Sequence, residues 1–148
     1  MRQKLMRMRW LRLRHLKRLA TLMFASTATL GIPATASAQP LPMVTIDAAR
    51  LARDKGESVL VDIREPSEHA QGVAAGAILM PMGQIASRLN ELSSGADKPL
   101  HIICNTQNRS SRVVAALRGH GFTNASYVKG GMSEWYQRRL PMVSPVTK

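Results

Sequence analysis

The sequence predicts an α/β domain with a mostly parallel central sheet and helices on both faces. Two runs, Ser58–Ile63 and Leu100–Ile103, are nearly continuous in apolar and β-branched residues, the pattern of strands covered on both sides. Helical stripes alternate with strand-like runs along the chain, and parallel strands need crossovers of that kind. The 148 residues, 45% of them hydrophobic, fill one core and leave little room for a second.

Each element follows from its local pattern. Val44-Thr45-Ile46 reads as a short strand, with Asp47 as N-cap of a helix carrying Ala48, Ala49, Leu51 and Ala52 and ending at Gly56. Ser58–Ile63 is the second strand. Ala77-Ile78-Leu79-Met80 is a third, stopped by Pro81, and Ile85, Leu89 and Leu92 then mark a helix stripe at i, i+4, i+7. Ser93–Asp97 reads as loop, and Leu100–Ile103 is a fourth strand that runs straight into Cys104. Val113, Val114 and Leu117 share one side of a helix that starts around Arg109 or Ser110 and is closed by Gly119 and Gly121. Ala125–Val128 is the last strand, Gly130-Gly131 a turn and Met132–Arg138 a final short helix. Ligands of such sheets bind beyond the carboxyl ends of the strands, and Cys104 sits at one of those ends.

Charge sets the boundary of the domain. Lys and Arg number 21 against 9 Asp and Glu, a balance of +12 that read alone implies a nucleic-acid or anionic-membrane partner. Eight of those cations lie in the first 18 positions, whereas 13 basic and 9 acidic residues follow from Gln39 onward, leaving only +4 there. Leu19–Ile46 carries no charge, and Ala36-Ser37-Ala38 precedes Gln39. A basic head, an apolar run and small residues before a cut site are the layout of a secretory signal peptide. The expectation is therefore a cleavable leader at 1–38, a domain at 39–148 with its core at about 44–142, and a periplasmic or otherwise exported product that meets the membrane only through the leader. An uncleaved anchor and a mitochondrial presequence are the competing readings. Thr21, Ser26, Thr27, Thr29, Gly31 and Pro33 dilute the run against a permanent anchor. With Trp10 as its lone aromatic and an apolar stretch behind it, the head does not read as an RNA-binding arm, so no nucleic-acid partner is expected.

The chain has one cysteine, which excludes an intramolecular disulfide framework and a Cys-rich zinc site; four His without metal-ligand spacing give no expected metal site. Cys104 is thus either core filler or a lone reactive thiol. Context favours the thiol. Six polar residues follow it (Asn105, Thr106, Gln107, Asn108, Arg109 and Ser110), and then a helix with Arg109 and Arg112 in its first turn, where cations oppose the dipole unless an anion binds. Loop amides and the helix start can converge on an anion, a thiolate there would be stabilised, and Arg109 would add forked donors for an oxyanion of sulfur or phosphorus.

These pieces together resemble the rhodanese-like sulfurtransferases, over nearly all of 44–142. The matching segments are Val61-Asp62-Ile63-Arg64-Glu65-Pro66, Glu68-His69-Ala70-Gln71-Gly72, Gly76-Ala77-Ile78, Cys104-x4-Arg109-Ser110, Gly121-Phe122, and Gly130-Gly131-x-x-x-Trp135 ending in Leu140-Pro141. The size and leader look most like the small exported, phage-shock-like type. The resemblance implies a single rhodanese-like domain and a double displacement. The Cys104 thiolate takes a sulfur from a small anionic donor such as thiosulfate, and a cyanide or thiol acceptor removes it from the persulfide, with no metal or organic cofactor. It also implies substrate-binding roles for Asn105, Thr106, Gln107, Asn108, Arg109 and Ser110. For Arg64 two readings stand side by side, an orienting contact to the donor or a structural ion pair with Asp62 or Glu65. Val73-Ala74-Ala75 stands where many members carry His-x-Pro, which bears on local packing. The neutral Asn105-Thr106-Gln107 implies weaker attraction for thiosulfate than a loop with an added cation.

Two further readings compete. A Cys-dependent phosphatase or arsenate reductase uses a similar cradle, but with five residues between Cys and Arg rather than the four found here, and a sulfur carrier would need an outside thiol to resolve it. His101, His120, Trp135 with Tyr136, and the scattered methionines read as structural. Oligomeric state and the natural donor and acceptor are not written in the sequence.

Overall fold

The computed structural model describes residues 40–93 and 97–145, so the leader expected at 1–38 lies outside the described residues, as do 94–96 of the expected loop. Along the chain run β1 (Met43–Val44), α1 (Ile46–Asp54), β2 (Val59–Asp62), α2 (Pro66–His69), β3 (Val73–Ala74), β4 (Ile78–Leu79), α3 (Leu89–Ser93), β5 (Leu100–Ile103), α4 (Asn108–Gly119), β6 (Ala125–Val128), α5 (Gly131–Gln137) and β7 (Met142–Val143). Five strands pair in the order β1-β6-β5-β2-β4, every pair parallel. The sheet and its helical crossovers agree with the predicted α/β class.

Alternation along the central strands divides the core in two. Val61, Ile63, Leu100, Ile102 and Cys104 face one side, packed with Val113, Val114 and Leu117 of α4 and Leu92 of α3. Leu60 and Ile103 face the other, against Ile46 and Ala49 of α1 and Met132 and Trp135 of α5. This is the two-sided burial that unbroken apolar strands require. Trp135 is buried and donates its indole N–H to Pro141 O at 3.1 Å, whereas its neighbour Tyr136 is 74% exposed and takes no part in the core.

Several local expectations change. Thr45, not Asp47, is the N-cap of α1: it is extended, and its hydroxyl accepts from Ala48 N at 3.3 Å. Asp47 sits in the first turn, where a carboxylate also favours the dipole, and accepts from Arg138 at 2.7 Å. The stripe Ile85, Leu89, Leu92 does not lie on one continuous helix: Ile85 stands between two 3₁₀ turns, 82–84 and 86–88, and Leu89 and Leu92 lie on α3. Ser93 ends α3 rather than beginning a loop. β3 and β7 pair antiparallel, outside the main sheet, placing Val73 and Ala74 in the stretch that lacks His-x-Pro. Two-residue strands give no periodicity to read.

Candidate active site

Cys104 follows β5 directly, and alternation turns its side chain toward α4, where it is 1% exposed. Ser110 N donates to Sγ at 3.4 Å, and the thiol faces Ser110 Oγ at 3.5 Å. Ser110 lies in the first turn of α4, whose leading amides have no partner within the helix, so one of these orphans is aimed at the sulfur. The Ser110 hydroxyl is fully buried and donates to Gln107 O at 3.2 Å. Asn108 opens α4, one residue earlier than the sequence indicates.

The back of the loop is held by α5. Met132 N donates to Cys104 O at 2.8 Å and Ser133 N to Asn105 O at 2.7 Å, so two loop carbonyls cap the start of that helix. In a trans peptide the following N–H points opposite to the carbonyl, so the amides of Asn105 and Thr106 turn away from α5, as an anion cradle requires. Gly130 and Gly131 make the approach at φ of 75° and 61°. A Cβ at Gly131 would overlap the carbonyl oxygens of Cys104, Asn105 and Thr106. The side chain of Gln107 joins this clamp: its Oε1 accepts from Gly130 N at 3.1 Å.

Arg109 has an anion already. Its Nη1 and Nη2 donate to the two carboxylate oxygens of Glu68 at 2.7 and 2.6 Å, and Glu65 N donates to Glu68 Oε2 at 3.0 Å. The Arg109 hydrogen bonds, reinforced by the Glu65 N–H and only partly opposed by burial, hold the Glu68 carboxyl down at about 2. Glu68 in turn raises Arg109, with a further contribution from Cys104. The cation that seemed misplaced at a helix start is therefore offset within the chain, and Arg109 is oriented across the site from α2.

Arg64 is placed differently from the donor-orienting expectation. Asp62 pairs in register with Ile103, so Arg64 falls on the face of Ile103, opposite to that of Cys104. It is 4% exposed and donates to Asp62 through Nε and Nη2 (3.0 and 2.7 Å), to Glu68 O at 3.2 Å and to Gly72 O at 2.9 Å. The ion pair with Asp62, one of its two readings, is present, and Arg64 braces the chain from β2 through α2 to Gly72. Thr106 is an exposed loop position and Asn108 the exposed first residue of α4, Gln107 serves the clamp, and Asn105 edges a cavity of about 400 Å³ reached also by Arg64, Gln71, Ser133 and Tyr136. Of the predicted residues, Cys104, Ser110 and Arg109 converge. Glu68 and Gly131 are the functional positions that residue-by-residue reading missed, although both lie in segments of the matching pattern.

The chain is similar to known proteins over most of its described residues. Residues 45–138 match the model of the Rhodanese-like domain. A sulfurtransferase of Allochromatium vinosum is 36% identical over 96 residues, covering 65% of this chain and 87% of that protein. An uncharacterized protein of Bacillus subtilis (strain 168), YqhL, is 38% identical over 76 residues, 51% of this chain but only 59% of its own length. Among solved structures, a rhodanese-related protein from Thermoplasma volcanium superposes with a TM-score of 0.58 at 26% identity, over 70% of this chain and 99% of that one.

Proposed function

Because the chain belongs to the rhodanese-like domain family, we propose that it is a sulfurtransferase in which Cys104 carries the sulfur as a persulfide. The observation that carries this reading is the buried Sγ held against Ser110 N at the start of α4, with the loop backbone clamped behind it. The Cys104 thiolate attacks the outer sulfur of a donor such as thiosulfate; the new S–S bond forms as the bond to sulfite breaks, and sulfite leaves with the electron pair. The Ser110 hydroxyl, which accepts from the thiol in the resting state, can rotate to donate to the anionic sulfur, and the amides of Ser110 and the loop hold that charge. Cyanide or a thiol then attacks the outer sulfur, breaks the S–S bond and restores the Cys104 thiolate. Neither step needs a metal or organic cofactor. Arg109, already paired to Glu68, acts by shaping the rim and offering its field rather than as a free clamp, in keeping with a donor bound weakly. Four residues between Cys104 and Arg109 make a tight loop, which suits one sulfur atom better than a phosphate tetrahedron.

Export belongs to the same proposal: the leader is removed and the domain acts as a periplasmic protein. The test of the chemistry is turnover of thiosulfate and cyanide by Cys104→Ser, which loses activity while its unfolding transition stays within about 1 kcal/mol of the parent. Retained turnover in that variant would remove Cys104 from the reaction.

A further inference from the structure

Another cavity lies at the opposite end of the sheet from Cys104. It measures about 470 Å³ and is lined by Arg53 at the close of α1, by Ser58, Val59 and Leu60 at the start of β2, and by Gly76 and Ile78. β2 and β5 run parallel with Val59 opposite Leu100, so four residues of strand, roughly 13 Å, separate Val59 from the level of Cys104. The cavity is therefore distinct from the site of the thiol.

Two buried donors in its wall lack a partner. Among the described residues three buried side-chain polar atoms make no hydrogen bond, and two of them, Arg53 Nη1 and Ser58 Oγ, belong to residues that line this cavity. The third, His69 Nε2, stands 3.4 Å from Asp62 Oδ1. Ser58 is 7% exposed and, by alternation with Leu60, turns to the face of the sheet that α1 and Trp135 cover. The Arg53 guanidinium is on that same face: its Cζ lies 5.6 Å from the centre of the Trp135 ring, and its Nε and Nη2 donate to Asp54 Oδ1. One face and one edge of the guanidinium are thus committed, and Nη1 is left over. Buried donors without an acceptor are costly and rare, so two of them at one cavity point to a group that completes it.

We propose that this cavity is a binding site for a short aliphatic carboxylate, one oxygen accepting from Arg53 Nη1 and the other from the Ser58 hydroxyl, with the hydrocarbon end against Val59 and Ile78. Nη1 can only donate, so its missing partner is an acceptor, and a carboxylate brings two acceptor atoms together with the charge that strengthens a bond from a guanidinium. The half-buried Val59 and Ile78 make the rest of the wall apolar, which disfavours sulfate- or phosphate-like ions that need donors on every side. Asp54 shares the same cation and is 56% exposed, which holds the affinity to the millimolar range.

The experiment follows the Arg53 Nε–H signal by NMR in the full chain carrying isotope-labelled arginine, the signal being assigned by its absence in Arg53→Lys. Sodium butyrate is expected to shift it saturably with a midpoint of about 1 mM, butyramide about tenfold more weakly or less, and sodium chloride not at all. Ser58→Ala is expected to weaken butyrate about tenfold. Because the hydroxyl it removes has no partner, the same variant is expected to unfold, without butyrate, at the temperature of the parent or higher. Absence of a saturable shift up to about 50 mM butyrate overturns the site. Equal midpoints for butyrate and butyramide, or for the parent and Ser58→Ala, overturn it as well. An unfolding temperature of Ser58→Ala several degrees below that of the parent also overturns it, since a fixed water then completes the pair. None of these outcomes bears on Cys104.

Discussion

In the proposed chemistry Cys104, Ser110 and Glu68 divide the work at the site: one reacts, one holds charge, and one fixes the neighbouring cation. Replacing Ser110 with Ala removes a hydroxyl beside Sγ but leaves the backbone donor, so sulfur transfer should fall about tenfold rather than vanish, measured as kcat with thiosulfate. Glu68 gives a pH prediction. Its carboxyl is held at about 2 instead of 4.5, so the folded state gains from the charged pair above pH 4.5 and loses that gain as pH falls toward 2. Denaturation of parent and Glu68→Gln should differ at pH 6 and converge near pH 2; a constant difference would mean the pair contributes nothing that titrates. The loop that joins Cys104 to Arg109 was legible in the sequence, since a strand end followed by six polar residues and a helix pattern has few other readings. The identity of Arg109's anion was not, because Glu68 lies 41 positions away and only the fold brings it across. Arg64 was decidable in principle: strand alternation sets it with Ile103 and against Cys104.

The clamp between α5 and the Cys104 loop makes a sharper demand on the backbone. Gly131→Ala brings a Cβ onto three carbonyl oxygens, whereas Gly56→Ala, at φ of 69° with nothing within 4 Å, adds only conformational strain. The expected costs are about 3 kcal/mol or more for the first and about 1 kcal/mol for the second, read from denaturant midpoints. Equal costs would show that the loop has slack behind it. Across β5 and β6, His101 Nδ1 lies 2.8 Å from Ser126 Oγ in a register pair, and burial lowers the histidine from its usual 6.5. The folded protein therefore binds this proton less readily than the unfolded chain, so stability falls as pH drops below about 6.5, and His101→Gln should remove that part of the slope. The four-residue strands β2, β5 and β6 were readable because apolar β-branched runs leave few alternatives. β3, β7 and the 3₁₀ turns were not, since segments of two or three residues carry no period of their own.

For the whole chain, the order β1-β6-β5-β2-β4 brings three strand ends together: β5 delivers Cys104, β6 leads to the Gly130-Gly131 clamp, and β2 leads to Arg64 and to α2 with Glu68. Parallel pairing puts all three on one edge of the sheet, which is why short loops suffice to build the site. The class of fold followed from composition and alternation, while the convergence of distant segments needed the topology. The asymmetric charge of the sequence makes a separate prediction: protein recovered from the exported fraction should begin at Gln39, and an intact Met1 there would contradict cleavage. The central claim is that Cys104 carries sulfur, and intact mass before and after thiosulfate tests it most directly, with Cys104→Ser alongside. The expected result is a gain of one sulfur atom in the parent, none in the variant, and its loss on adding cyanide. An unchanged parent mass under conditions where the thiol remains free to alkylation would contradict thiosulfate-driven persulfide formation at Cys104.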